Sequence, residues 1–314
     1  MSIYLTGSMA YDRIMNFPGK FTDSILADQI HNLNVSFFID SLDEQLGGNA
    51  GNIAYTLYLL NEESIIVASA GRDFDRYAAV LETWGLSQEG IMRLDNELCA
   101  SAYIMTDQSN NQITGFHAAA MMTPSTYDFP HLEPEKDIAL IGPSNPDDMK
   151  RHPALYKKQG MRYIYDPSQQ LPILSAADLR AAIDGAYLLV GNDYEIKLIM
   201  NSTGLSKEEL VNMTARGIIT TLGENGSLVT EKGVDEEQTV KAVPVSDILD
   251  PTGAGDAYRA GLIKGLLLEQ PLVECARLGS TCAAFCIEQK GTQGHDFTLE
   301  EFFRRHSAAF GKPV

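Results

Sequence analysis

Asp250-Pro251-Thr252-Gly253-Ala254-Gly255-Asp256 puts a carboxylate into a turn that two glycines make tight. Those glycines let the backbone turn sharply with its N–H groups pointing outward, and Pro251 keeps any preceding strand from running on as a helix. Beyond Asp256, the residues Ala257, Ala260, Leu262, Ile263, Leu266 and Leu267 recur at helical spacing. The turn is therefore the N-terminus of a buried helix, and such a terminus attracts anions. Asp256 would repel a resting phosphate. It is well placed, however, to orient or deprotonate a hydroxyl attacking a phosphoryl group whose growing charge the Gly253, Ala254 and Gly255 amides stabilise. The pattern reads as phosphoryl transfer to an alcohol; the alternative is an ordinary first-turn acid that complements the helix dipole.

Two common nucleotide fingerprints are excluded. Gly253-x-Gly255 begins like a dinucleotide motif, but Tyr258 stands where the third glycine belongs and too little chain follows for a full nucleotide-binding half. A G-x-x-x-x-G-K-[ST] loop is absent.

A second glycine turn, Gly47-Gly48-Asn49-Ala50-Gly51-Asn52, opens another helix. Its bare backbone allows close approach to a ligand, and the Asn49 and Asn52 amides suit neutral sugar hydroxyls; a helix cap followed by an exposed helical residue is the plainer reading. Near the start, Ile3-Tyr-Leu-Thr6 reads as a first strand ending in Gly7-Ser8, with Asp12 just beyond it. In an open parallel sheet ligands bind at that edge, where a carboxylate can accept two hydrogen bonds from a vicinal diol or simply cap a turn.

Alternating strands and helices must position these groups. Strands are expected at Ile65–Ala70, Ile138–Ile141, Tyr163–Tyr165, Tyr187–Val190 and Ile218–Thr221, with a helix at Phe74–Trp84 closed by Gly85. This rhythm predicts a parallel sheet with helices on both faces. It breaks twice. Val35, Phe37 and Ile39 alternate with Ser36, Phe38 and Asp40 like a strand covered on two faces or meeting a second subunit, and Ser101–Thr106 with Gln112–Phe116 flank the turn-rich 107–111 as a β-hairpin. Two strand insertions on a βα framework make a lid.

Together these residues resemble the ribokinase-like (PfkB) sugar and nucleoside kinases. Residues 250–261 look like that family's C-terminal signature and 47–54 like its N-terminal one, with Asn192-Asp193-Tyr194-Glu195 and Thr221-Leu222-Gly223-Glu224-Asn225-Gly226 as intermediate marks in order. The resemblance implies a three-layer α/β sandwich, with the core formed by 1–12, 47–98 and 118–314 and a β-sheet lid by 13–46 and 99–117. It implies Asp256 as general base with an anion hole at Gly253–Asp256. Ser8, Asp12, Gly47, Gly48, Asn49 and Asn52 would hold the sugar, Phe116 would stack on a purine or serve as lid core, and Gln170 would contact base or ribose. ATP would lie against Asn192, Thr221, Gly223, Gly226, Thr252, Gly253 and Gly255, with Ala283–Gln293 walling the adenine. Glu195 would organise Mg²⁺ through water, and Asp250 matches the position from which many members ligate a monovalent cation such as K⁺.

Within the family the likeness is to bacterial adenosine kinases and archaeal nucleoside kinases, carried by Gly7-Ser8-x-Ala10-x-Asp12, Asn111-Gln112-Ile113, Asp166-Pro-Ser-Gln-Gln170 and Asp256-Ala-Tyr-Arg259-Ala-Gly. Adenosine is therefore the expected acceptor. Pro172 and Ile173 stand where adenosine kinases of this branch often carry an arginine, so a broad nucleoside kinase or a ribose-type sugar kinase remains an alternative, as does a non-catalytic nucleoside-binding regulator. Many members pair their lids in a homodimer.

The whole-chain composition agrees with a small-molecule enzyme. Its 314 residues suit one large α/β domain with a small appendage, and a net charge of −18 argues against a sequence-independent grip on nucleic acid or anionic membrane. The four cysteines, Cys99, Cys275, Cys282 and Cys286, form no CxxC pair, which suits buried thiols in a reducing cytosol rather than zinc. With no secretory leader ahead of the first strand, a cytoplasmic protein is expected.

Overall fold

The computed structural model describes residues 2–25, 34–109 and 111–311. Its strands are β1 (Ile3–Thr6), β2 (Ala10–Asn16), β3 (Ser41–Gly47), β4 (Ser64–Gly71), β5 (Ile91–Leu94), β6 (Ala100–Thr106) and β7 (Gln112–His117), followed by β8 (Ile138–Ile141), β9 (Arg162–Tyr165), β10 (Leu188–Asn192), β11 (Gly217–Thr221), β12 (Ser227–Glu231) and β13 (Gln238–Val240). Among the described residues they form a nine-stranded sheet, β13-β12-β11-β10-β9-β8-β1-β4-β5, and a four-stranded sheet, β3-β2-β6-β7. In the large sheet β12 pairs antiparallel with both β11 and β13, and the other neighbours are parallel.

Burial on both faces is why the central strands read as unbroken apolar runs: every residue of β1 and β8 is buried. Ile3 and Leu5 point into a core shared with the helices Asn49–Leu59, Asp75–Thr83, Ala254–Leu267 and Leu272–Ile287. Tyr4 points the other way, into a core with Pro146–Gln159, Ala176–Ile183 and Asp193–Thr203. The result is the expected α/β three-layer arrangement. The four cysteines are buried free thiols, and among the described residues no helix is long and apolar enough to cross a membrane.

β1 lies between β8 and β4, so the strand order reverses there and a crevice opens beyond the carboxyl ends of the parallel strands. The small sheet leaves the core next to that crevice. β2 runs across the expected boundary after residue 12, which makes Asp12 a residue of the small sheet rather than of a turn. The hairpin expected at 101–116 is β6 and β7, paired from Ser101↔His117 to Thr106↔Gln112. The strand expected around Val35–Ile39 is displaced: residues 34–39 carry no strand, and pairing with β2 begins at Ser41↔Asn16. Phe37 instead packs edge-on against Phe17 and Phe21, so its alternation reflects an aromatic cluster and not a pleat.

Candidate active site

A cleft of about 830 Å³ lies along the strand ends, lined by residues following β1, β8, β9, β10 and β11, by the turn before Ala254–Leu267, and by one face of the small sheet. Of the residues expected to act, it brings together Ser8, Asp12, Gly48, Asn49, Asn52, Phe116, Gln170, Asn192, Glu195, Thr221, Gly223, Thr252, Gly253, Gly255 and Asp256. Gly47, Ala254, Gly226 and Asp250 do not line it.

At the anion turn, Gly253 sits at φ +82° as the residue before the helix, a left-handed conformation that favours glycine. A Cβ there would also press on Thr292 at 3.1 Å. Helix geometry leaves the N–H groups of Gly255 and Asp256 without acceptors one turn back, so they are available to an anion, whereas Ala254 N already donates to Pro251 O at 3.3 Å. Asp250 stands outside the cleft and braces the turn, its two oxygens accepting from Thr252 N at 2.9 Å and Gly291 N at 3.0 Å.

Asp256 accepts a hydrogen bond from Asn52 Nδ2 at 2.8 Å. Burial pushes its carboxyl up to about 6; the Asn52 bond and Arg259 oppose this, while Asp166 and Asp12 add to it. Asn52 is in turn held by Gln293 Nε2, which donates to Asn52 Oδ1 at 3.0 Å and to Tyr77 OH at 2.7 Å, and Tyr77 OH donates to Gly47 O at 3.0 Å. Residues 291–293, expected beside the adenine, are thus joined to the Asn52 side of the turn. Asp12 is also pushed up to about 6, by burial first and Asp250 second. Gly47 lies directly over it, and a Cβ on Gly47 would collide with the Asp12 carboxylate. Gly48, at φ +86°, has no room either: a Cβ would meet Ser8 O at 2.5 Å. Ser8 and Asn49 lock that turn, the serine N–H and Oγ donating to Asn49 Oδ1 at 2.7 and 2.9 Å.

Phe116 is 56 % exposed and faces Asp12 across the same side of the small sheet, since Asp12 pairs with Ala102 and Ala102 with Phe116. Gln170 donates its side-chain amide to Ser144 O at 2.8 Å, which fixes the orientation of its carbonyl end. At the other end of the cleft Asn192 and Glu195 form a reciprocal cap, with Glu195 N donating to Asn192 Oδ1 at 2.8 Å and Asn192 N to Glu195 Oε2 at 2.7 Å. The other Glu195 oxygen accepts from Ser168 Oγ at 3.1 Å. Gly223 lines this end, whereas Gly226 serves the turn itself, where a side chain would strike the Val240 carbonyl.

Asp166 and Arg259, which the sequence offers only within longer motifs, are both buried and line the cleft. An Asp immediately after β9 and an Arg three residues past Asp256 in an Ala/Gly/Leu helix were the available signals.

A model of the pfkB family carbohydrate kinases matches residues 8–297, nearly the whole chain. The chain belongs to the pfkB family. It is an ATP-using phosphotransferase of that family, whose two glycine signatures are the turns at 47–52 and 250–256. Among relatives, the nucleoside kinase of Methanothermobacter thermautotrophicus is 29 % identical over 287 residues, 90 % of this chain and 92 % of that one. The Burkholderia thailandensis nucleoside kinase, in a structure in complex with inosine, superposes with a TM-score of 0.89 at 34 % identity, covering 99 % of this chain and 100 % of that chain. For the Methanocaldococcus jannaschii nucleoside kinase the TM-score is 0.85 at 26 % identity, covering 98 % of each chain.

Proposed function

We propose that this pfkB-family kinase transfers the γ-phosphoryl of ATP to the 5′-hydroxyl of a nucleoside, with Asp256 as general base and adenosine the first candidate acceptor. The observation that carries the reading is the Asn52–Asp256 hydrogen bond, which joins a residue suited to sugar hydroxyls to a carboxylate at the mouth of a helix N-terminus. Asp12 and Asn52 bind the 2′ and 3′ hydroxyls, which leaves the 5′-hydroxyl at Asp256. That carboxylate takes the proton as the phosphoryl crosses, and the Gly255 and Asp256 amides receive the charge. Phe116 gives the base a face to stack on, a contact that in single-stranded nucleic-acid binding contributes about 1–3 kcal/mol. Closure of the small sheet over the cleft excludes water.

Among the described residues no group of three His, Cys, Asp or Glu could hold a metal. Glu195, with both oxygens already accepting hydrogen bonds, fits Mg²⁺ held by phosphates and waters rather than directly; when bound, the ion neutralises phosphate charge. Asp250, beside the anion turn, is the residue that would help hold a monovalent cation. A lid-to-lid homodimer is supported by Leu42, Tyr103 and Ile113, which are exposed and share the sheet face opposite Asp12.

A broad nucleoside kinase is the second reading, favoured by the inosine bound to the Burkholderia relative. ADP production from ATP and Mg²⁺ with adenosine, inosine, guanosine, cytidine, ribose and fructose 6-phosphate tests both. One strong response to adenosine fixes the narrow reading and several nucleosides the broad one, while turnover with sugars alone overturns both.

A further inference from the structure

Arg259 and Asp166 form an ion pair that the catalytic scheme above leaves unused. Arg259 Nη2 donates to Asp166 Oδ1 at 2.9 Å and Nε to Asp166 Oδ2, so the contact is a two-pronged fork with both side chains buried. A third donor, Nη1, reaches back one turn to Gly255 O at 3.0 Å. A Cβ on Gly255 would sit 2.9 Å from Nη1 and press on the same guanidinium. One guanidinium thus joins the residue that follows β9, on the nucleoside side of the cleft, to the carbonyl of the anion turn. A buried ion pair is on average no more stabilising than well-packed apolar residues, so its presence in a catalytic cleft calls for another cause.

We propose that Arg259, oriented by Asp166, is a positioning residue for phosphoryl transfer: it fixes the Gly255 peptide so that the anion-turn amides face the phosphate, and it sets the charge felt by Asp256. The polar and titratable groups around Asp256 are Asn52 from the helix Asn49–Leu59, Asp12 from β2, Asp166 after β9, Tyr77, Cys286 and Arg259 itself. Arg259 is the cation among them, and Asp166 tempers it. The inference rests on the reading of Asp256 as base. That reading has its own test, retained turnover in Asp256→Asn, which does not depend on the pair.

Asp166→Asn, Arg259→Met and Arg259→Lys separate the two effects when kcat, KM for ATP and the pH dependence of kcat/KM are measured beside thermal melts. Removing the cation makes Asp256 harder to ionise, so the acid limb of Arg259→Met moves to higher pH and kcat falls about 100-fold. Removing the anion does the opposite, and the acid limb of Asp166→Asn moves to lower pH. Lysine restores the charge but cannot make the fork and reach Gly255 together, so Arg259→Lys keeps the wild-type acid limb and still loses about 10-fold in kcat. Acid limbs that stay put in both Asp166→Asn and Arg259→Met, or full kcat in Arg259→Lys, overturn the proposal. Should Arg259→Met fail to fold, the other two variants decide: an unmoved acid limb in Asp166→Asn or full kcat in Arg259→Lys overturns the proposal.

Discussion

Asn52 Nδ2 lies 2.8 Å from the Asp256 carboxylate, so the side chain suited to a nucleoside hydroxyl also holds the base that would deprotonate its neighbour. Asn52→Ala therefore loses on both counts. KM for the nucleoside rises and kcat falls, each by about 10-fold, and the acid limb of kcat/KM moves to higher pH because the bond favours the ionised carboxylate. Steady-state kinetics from pH 5 to 9 check this; an unchanged KM would remove Asn52 from the acceptor site.

With the Asp256 carboxyl pushed up to about 6, activity is expected to fall as pH drops through that value and the base is protonated. Asp256→Asn should bind nucleoside and lose about 1,000-fold in kcat. Near-wild-type turnover would rule out the base assignment.

The same raised pKa predicts a stability gain from that substitution. Between the ordinary carboxylate value and about 6 the folded chain holds a proton that the unfolded chain has released, so this group's stabilisation falls as pH rises through that window. At pH 8 wild type carries a buried charge that Asn lacks. Asp256→Asn is expected to be more stable there by about 1–2 kcal/mol, reduced for partial exposure to the cleft, with the difference vanishing toward pH 4. Thermal melts at the two pH values decide the sign.

Gly253→Ala tests the anion turn. The left-handed backbone and the crowding against Thr292 predict a loss of about 1–2 kcal/mol in stability. The kinetic loss should exceed what melting explains, because the amides are re-aimed. A stable Ala variant with full kcat would show that the turn does not receive the phosphoryl group.

Phe116→Ala removes the aromatic face from the lid without touching the core. KM for a purine nucleoside should rise about 10-fold, with little effect on any turnover of free ribose. Equal effects on both acceptors would make Phe116 a packing residue of the lid.

Much of this was legible in the sequence because its signals are local. Glycine pairs ahead of apolar helices predicted both turns, and continuous apolar runs marked the central strands. What escaped depends on partners distant in the chain. Asp166 and Arg259 meet across 93 positions, and no local pattern announces that an arginine in an apolar helix has a buried carboxylate waiting. Phe37 misled for the same reason: alternation is a signature of pleat only when the alternating faces meet different surroundings, and here an aromatic cluster took one of them. β12 and β13 lie at the sheet edge beyond the last parallel strand, where the βα rhythm that identified the others no longer applies.

Asp12 belongs to β2, and β2 is hydrogen-bonded along its length to β3 on one side and β6 on the other. Any rigid swing of the lid must carry that carboxylate with it, while Asn52 and Asp256 stay on the core helices. On the proposed roles of Asp12 and Asn52, half of the acceptor's grip would be mounted on the door and half on the frame. An open molecule holding ATP alone has not assembled a place for a hydroxyl, water's included, so the arrival of the acceptor and the shutting of the compartment become one event. The enzyme is then thrifty by construction, and its order of addition should favour the acceptor first.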